Sequence, residues 1–192
     1  MRRTQLYEAH AKTAKMTTFA GFEMPLWYKG ITEEHLAVRN NVGVFDVSHM
    51  GRIIVTGEDA EHFLNYIVTN DVSTLTPNSA LYTVMCNENG GIVDDTIVSR
   101  IAQDKFLIVP NAANREKDYK WLVKHAEGYD VKVEDVSERS AMLAVQGPKA
   151  EKTLQELCPT DLSKVERFKC VSTELAGIEV FMSRTGYTGE DG

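Results

Sequence analysis

Apolar residues recur along this chain in two rhythms, one at every third or fourth position and one at every second. The helical rhythm is clearest over residues 57–68, where Ala60, Phe63, Leu64 and Ile67 fall on one face. It returns after Gly147-Pro148, where proline suits a first helical turn and Ala150, Leu154 and Leu157 form the stripe. Further helices are predicted over 4–12 and 32–40, and a less regular one over 113–126. The alternating rhythm, rich in β-branched residues, predicts strands over 44–47, 52–55, 81–86, 92–101, 106–109, 131–136, 142–145, 165–175 and 178–183. Short turn signals at Gln103-Asp104 and Ala176-Gly177 make adjacent strands antiparallel. The predicted fold class is therefore α+β, with mainly antiparallel sheets covered by helices.

Two stretches share one grammar. The run from Ile53 to Glu61 and the run from Leu143 to Glu151 both read strand, glycine, helix, and Leu64 and Ile67 are echoed by Leu154 and Leu157. Two related α+β units give such an echo, and so does convergence on a common strand-to-helix turn. No Pro- or Ser-rich linker separates the units.

The run Asn87-Glu88-Asn89-Gly90-Gly91-Ile92-Val93-Asp94-Asp95 sets two carboxylates just past a tight hairpin. Asn-Gly-Gly supplies the positive φ angles that short hairpins require. Side chains alternate faces along the strand that follows. Asp95 shares its face with Val93, Ile97, Ser99 and Ile101; Asp94 shares the other with Ile92, Thr96, Val98 and Arg100, a cation able to answer it. An unpaired carboxylate on the more apolar face costs several kcal/mol, by roughly the estimates for buried charge. On this reading Asp95 is the acid that needs a reason. A solvated rim position and a site carboxylate stand level on parity alone.

The bulk properties narrow the function classes. The 192 residues suffice for one large or two small domains, with 43% hydrophobic and 26% charged content. A net charge of -7 disfavours nucleic-acid binding, which relies on a basic surface. No apolar run approaches membrane-spanning length, and the N-terminus reads as a polar helix, not a signal peptide. Cys86, Cys158 and Cys170 lack metal or redox spacing, so a reduced, cytoplasmic setting with three small buried thiols is expected. The five histidines show no metal-binding spacing, and no metal is expected.

Asp46, Ser48 and His49 lie close in sequence, but triads are assembled from separate segments with the serine on a sharp turn. They are read as structural. Asn111 and Asn114 follow a predicted strand; helix capping is their default role, and an amide there also suits a heteroaromatic edge. The tail Ser183 to Gly192 is rich in glycine and polar groups directly after an apolar strand. Such loops carry binding groups. A glycine-rich ending on a strand also leaves a sheet without its next covering element, so a portion of a larger protein is expected.

Taken in order, Phe19 to Pro25, Gly43 to Gly51, Gly90 to Asp95, Gln146 to Ala150 and Arg184 to Gly192 resemble the aminomethyltransferase (T-protein) family of the glycine cleavage system. The resemblance runs the length of the chain and implies the T-protein folate-binding fold: a discontinuous first domain over 1–51 and 138–192, incomplete here, and a second α+β domain over 52–137. The family's C-terminal barrel domain is absent from this sequence. The implied reaction moves a one-carbon unit from the aminomethyl-lipoyl arm of H-protein to tetrahydrofolate, with release of ammonia. The implied partners are lipoylated H-protein and tetrahydrofolate, with no nucleic acid, membrane or metal.

The family's essential aspartate corresponds to Asp95. Met50, Tyr82, Asn111 and Tyr187 correspond to positions lining its folate pocket. Ser99 departs from the aromatic residue often found four positions beyond that aspartate. A glutamate and an arginine that help hold folate fall beyond Gly192, so weak or no folate binding by residues 1–192 and impaired activity are expected. A related folate-dependent demethylase and a non-enzymatic folate-binding or assembly protein are the alternatives.

Overall fold

Along the chain, the computed structural model, which describes all 192 residues, begins with β1 (Arg2–Arg3), α1 (Tyr7–His10), β2 (Lys15–Phe19), β3 (Phe22–Trp27), α2 (Ile31–Asn40) and β4 (Gly43–Asp46). There follow β5 (Ile53–Thr56), α3 (Ala60–Ile67), β6 (Ser79–Cys86), β7 (Ile92–Ala102), β8 (Lys105–Pro110), α4 (Arg115–His125) and β9 (Lys132–Asp135). The last elements are β10 (Leu143–Gln146), α5 (Ala150–Gln155), β11 (Cys170–Leu175) and β12 (Ile178–Ser183). Two units divide these elements: Met1–His49 with Ser140–Gly192, and Met50–Arg139.

The central unit, Met50–Arg139, holds a five-stranded antiparallel sheet in the order β6-β7-β8-β5-β9. Its core is where the two rhythms meet. Ile53 and Val55 of β5, Phe106 and Ile108 of β8 and Val98 of β7 are sealed from solvent. They pack with Phe63, Leu64 and Ile67 of α3 and Leu122 of α4. Each fully buried side chain of this size contributes about 1.5–3 kcal/mol from desolvation. Gly57 ends β5 at φ 138°, and a Cβ there would meet the Asp130 carbonyl oxygen at 2.1 Å, so only glycine lets the chain pass.

The other unit carries three small sheets: β1-β3-β2, β10-β4 and β11-β12. The β2–β3 hairpin turns on Ala20 and Gly21, both at positive φ, and went unread in the sequence because Lys15 to Phe19 is too polar to advertise a strand. The α1 helix is a single turn, shorter than the stretch 4–12, because Thr4 turns its hydroxyl to Asp46 at 2.7 Å.

The two units repeat one another far beyond the echo in sequence. The series β5, α3, β6, β7 recurs as β10, α5, β11, β12, with the same register between hairpin strands: Ala80 faces Ser99 as Cys170 faces Ser183. Asn65 accepts from the Val72 amide at 2.6 Å, and Gln155 from that of Leu162 at 2.8 Å. Asn78 and Phe168 both take positive φ and donate to Arg100 O and Arg184 O, each at 2.7 Å. That turn at Phe168 breaks the predicted strand 165–175, which is extended only from Cys170. The repeat continues through β9 and β4, which pair antiparallel with β5 and β10. After each, a serine amide caps an aspartate, Ser137 on Asp135 and Ser48 on Asp46, both at 2.9 Å. Asp46, Ser48 and His49 thus lie in a structural corner. Hydrogen bonds from Ser48 and Thr4 overcome burial and hold the Asp46 carboxyl below its ordinary value.

Candidate active site

The acid pair lies on β7, in the central unit, and the two carboxylates have opposite fates. Asp94, Thr96, Val98 and Arg100 form the buried face, while Asp95 and Ile97 are half-buried on the other; Val93, at an irregularity in the β6–β7 register, packs in part against the core. This corrects the parity argument. Counting apolar side chains along one strand does not reveal which face the helices cover, and here α3 and α4 cover the face with more polar groups. Those groups bring their own partners. Arg100 does not answer Asp94: it pairs with Glu61 at 2.6 Å and donates to Leu75 O and Gln103 O.

Asp94 is 5% exposed and is held by amides from the start of the α4 segment. Asn114 Nδ2 donates to its Oδ1 at 2.7 Å, Asn111 Nδ2 to the same oxygen at 3.1 Å, and the Asn111 backbone N–H to Oδ2 at 3.1 Å. Neither asparagine side chain caps α4, contrary to the default expectation; both turn their amide nitrogens to the carboxylate instead.

Beneath this cluster sits Asp118, fully buried on α4. No conventional donor reaches either of its oxygens. Burial, then its hydrogen bond to Asp94 and the charge there, push its carboxyl up to about 8, with Lys117 opposing from 3.9 Å. It is therefore a neutral acid at neutral pH, donating its proton to Asp94. Burial pushes Asp94 upward as well, but hydrogen bonds from Asp118, Asn111 and Asn114 outweigh it and hold Asp94 below its ordinary value. Two buried acids this close keep one proton between them.

Asp95 is arranged for display. Tyr82 on neighbouring β6 donates its hydroxyl to Oδ2 at 2.8 Å, and Asn111 Nδ2 donates to Oδ1 at 3.0 Å. The tyrosine is 54% exposed. Its hydrogen bond to Asp95, then slight desolvation and the Asp95 charge, raise the Tyr82 hydroxyl above its ordinary value. Asn111 thus bridges both acids through one amide nitrogen and fixes Asp95 from the buried side. The result is an anion with both oxygens oriented, on a part-open sheet face.

Of the sequence candidates, Tyr82, Asp95 and Asn111 come together as one hydrogen-bonded group. Met50 precedes Gly51, whose N–H donates to Pro110 O beside Asn111 at 3.0 Å. Tyr187 belongs to the other unit, 65% exposed, with its backbone N–H on Gln146 Oε1 at 2.7 Å. Ser99 is buried, with Ala80 and Leu107 as its cross-strand neighbours. The roles of Asn114 and Asp118 went unread in the sequence. An acid in the first turn of a helix ordinarily signals solvent, and only a buried acid opposite would have marked it.

Residues 6–192 match the GCVT N-terminal domain family. The chain belongs to that family. Among curated relatives, the GCVT match is joined by the aminomethyltransferases of Thermotoga maritima, 50% identical, and Thermotoga neapolitana, 53% identical. Each alignment covers 100% of this chain and 53% of the relative. The crystal structure of glycine cleavage system aminomethyltransferase T from Bartonella henselae superimposes with a TM-score of 0.91 at 37% identity, over 99% of this chain and 52% of that one. A heterotetrameric sarcosine oxidase from Corynebacterium shares the fold alone, at 20% identity and a TM-score of 0.59. This GCVT chain thus spans about half the length of the curated relatives it matches. No helix is long and apolar enough to cross a membrane.

Proposed function

We propose that this chain is the N-terminal portion of an aminomethyltransferase of the glycine cleavage type, working in the cytoplasm, with Asp95 as its catalytic carboxylate. The reaction moves a one-carbon unit from the aminomethyl-lipoyl arm of H-protein to tetrahydrofolate and releases ammonia. The observation that carries the reading is the division of labour within the acid pair. Asp94 is buried and tied into the protein, whereas Asp95 is half-buried with both oxygens held by Tyr82 and Asn111.

Tetrahydrofolate, the acceptor substrate, supplies a nucleophilic amine at N5. A fixed carboxylate beside such an amine orients it, stabilises positive charge that develops on it, and receives its proton. Asp95 is preorganised for all three roles. The exposed Tyr82 ring suits the flat face of a pterin, and Asn111 keeps Oδ1 as an acceptor toward a heteroaromatic edge. Met50 and Tyr187 complete the proposed folate-binding set on the strength of the family motifs. The matching names of relatives support the reaction class.

The test joins residues 1–192 to the remainder of the Thermotoga maritima relative and measures ammonia release with lipoylated H-protein and tetrahydrofolate. Asp95→Asn is expected to lower turnover by about two to four orders of magnitude, the usual worth of a positioned acid–base group, with unchanged circular dichroism. Turnover equal to the parent chimera would overturn the assignment of Asp95.

A further inference from the structure

Asp118 has no part in the proposed reaction and is 0% exposed, yet a chain of hydrogen bonds runs from it to Asp95. Every link lies in the central unit. Asp94 accepts from three N–H groups: Asn114 Nδ2 and Asn111 Nδ2 on Oδ1, and the Asn111 backbone on Oδ2. Neither oxygen of Asp118 accepts from any such group. Two carboxyl groups share a hydrogen bond only if one of them carries a proton. Asp94 is surrounded by donors and is already the acceptor, so the proton belongs to Asp118.

The next link is the Asn111 amide. Its Nδ2 lies 3.1 Å from Asp94 Oδ1, 3.1 Å from the Asp95 backbone oxygen and 3.0 Å from Asp95 Oδ1. Three acceptors around one nitrogen fix which end of the amide faces the acids. That orientation holds only while Asp94 is an anion. A proton on Asp94 would set an O–H donor against N–H donors, and Asn111 would relieve the conflict by turning its carbonyl Oδ1 inward. Nδ2 would then leave Asp95 Oδ1, and Asp95 would keep only the bond from Tyr82 at 2.8 Å. A carboxylate tied through one oxygen is free to swing.

The surroundings keep the proton in place. The charged groups facing Asp118 are Asp94 and Asp95 on β7 and Lys117 beside it on α4, whose Nζ is 3.9 Å away and donates to Val93 O. The acids of β9, the strand packed on α4, have cations of their own: Asp135 pairs with Arg115 at 3.0 Å and Glu134 with Lys132 at 2.9 Å. An ionised Asp118 would therefore meet two like charges and a single half-exposed ammonium, in a place sealed from water.

We propose that Asp118 is a positioning residue for Asp95: by keeping a proton on its own carboxyl it keeps Asp94 an anion, and that anion holds the Asn111 amide in the one orientation that fixes Asp95 Oδ1. This role rests on the reading of Asp95 as the catalytic carboxylate. Asp118 touches no reacting atom; it acts through Asp94 and Asn111. Misplacing a reacting group by about 1 Å costs on the order of a hundredfold in rate. A loosened Asp95 is therefore expected to lower turnover more than substrate affinity.

The test follows ammonia release by the chimera with the Thermotoga maritima relative, from mildly acid to alkaline pH. Asp118→Ala is expected to lower kcat at least about tenfold, with KM for tetrahydrofolate within about threefold of the parent. Asp118→Asn, which returns an N–H donor to Asp94, is expected to recover most of that kcat. Above about pH 8, where Asp118 gives up its proton, turnover of the parent is expected to fall while that of Asp118→Asn holds. NMR of the Asn111 side-chain amide in this chain reads the link directly: its signals are expected to shift in Asp118→Ala and to return in Asp118→Asn. Asp118→Leu, similar in volume and lacking a donor, replaces the alanine variant if circular dichroism shows that one unfolded. Parental kcat or unmoved Asn111 signals in the donor-free variant, or an equal loss of kcat in Asp118→Asn, overturns the positioning role. Where Asp95→Asn itself keeps parental turnover, the reading of Asp95 is what fails, and the Asn111 signals alone judge whether Asp118 orients the amide.

Discussion

Replacing Asp118 by asparagine tests the proton held between the two buried acids. Asp118 is sealed from solvent, and burial followed by the hydrogen bond and charge of Asp94 raises its carboxyl to about 8. In the unfolded chain it titrates as an ordinary aspartate, at ~3.9. Between those values the native state holds a proton that the unfolded chain has released. Unfolding free energy therefore falls as pH rises, by about 1.4 kcal/mol per pH unit for one proton. The loss reaches roughly 4 kcal/mol by neutral pH and levels off above the native value. Asp94 acts in another window: its lowered carboxyl gives stability that is present above about pH 4 and is lost as pH falls further.

A side-chain amide at this position would present an N–H to Asp94 at every pH, so Asp118→Asn keeps the hydrogen bond and removes the proton uptake. Urea unfolding followed by Trp121 fluorescence, in a Trp27→Phe background, reads the stability of the central unit. The parent is expected to lose stability steadily between about pH 5 and pH 8, and the variant to stay nearly flat, ending several kcal/mol more stable at the alkaline end. Asp118→Ala, which removes the donor and leaves a small cavity, is expected to destabilise below neutral pH. Parallel pH profiles for parent and Asp118→Asn would refute the shared proton.

Two further outcomes follow from the same geometry. Removing the charge and changing the acceptor with Asp95→Asn should let the Tyr82 hydroxyl titrate at lower pH than in the parent; NMR titration of the Tyr82 ring reads this, and an unmoved titration would mean that the 2.8 Å bond is not formed in solution. Gly57→Ala should cost about 2 kcal/mol or more, because alanine at φ 138° strains the backbone and its Cβ strikes Asp130 O; a urea midpoint equal to the parent would show that the crossing can shift.

Much of the fold was legible in the order of the residues. The stripes at Phe63 and Leu64 placed α3, the Ala176-Gly177 turn placed the β11–β12 hairpin with both residues at positive φ, and the strand–glycine–helix echo announced the repeat. These signals are local, because helix faces and tight turns are set by neighbours within a few positions. The β2–β3 hairpin escaped because β2 is largely polar and β3 carries a proline, and the 165–175 stretch read as one strand because nothing in Phe168 announces positive φ. Two of the three cysteines are buried as expected, but Cys86 is only half-buried, near the end of a strand. For the site, family motifs singled out Asp95, Tyr82 and Asn111, while the buried partners of Asp94, Asn114 and Asp118, carried no mark of their own.

By itself the sequence determined the α+β class, the positions of most helices and hairpins, and the adjacency of two acids just past a turn. Only the tertiary structure decided which acid is buried. Burial belongs to a sheet face, not to a residue, and the face that α3 and α4 cover is chosen by the packing of the whole unit. Once that choice is made, the covered carboxylate must find amides and a shared proton, and the uncovered one stays on the part-open face, held by Tyr82 and Asn111.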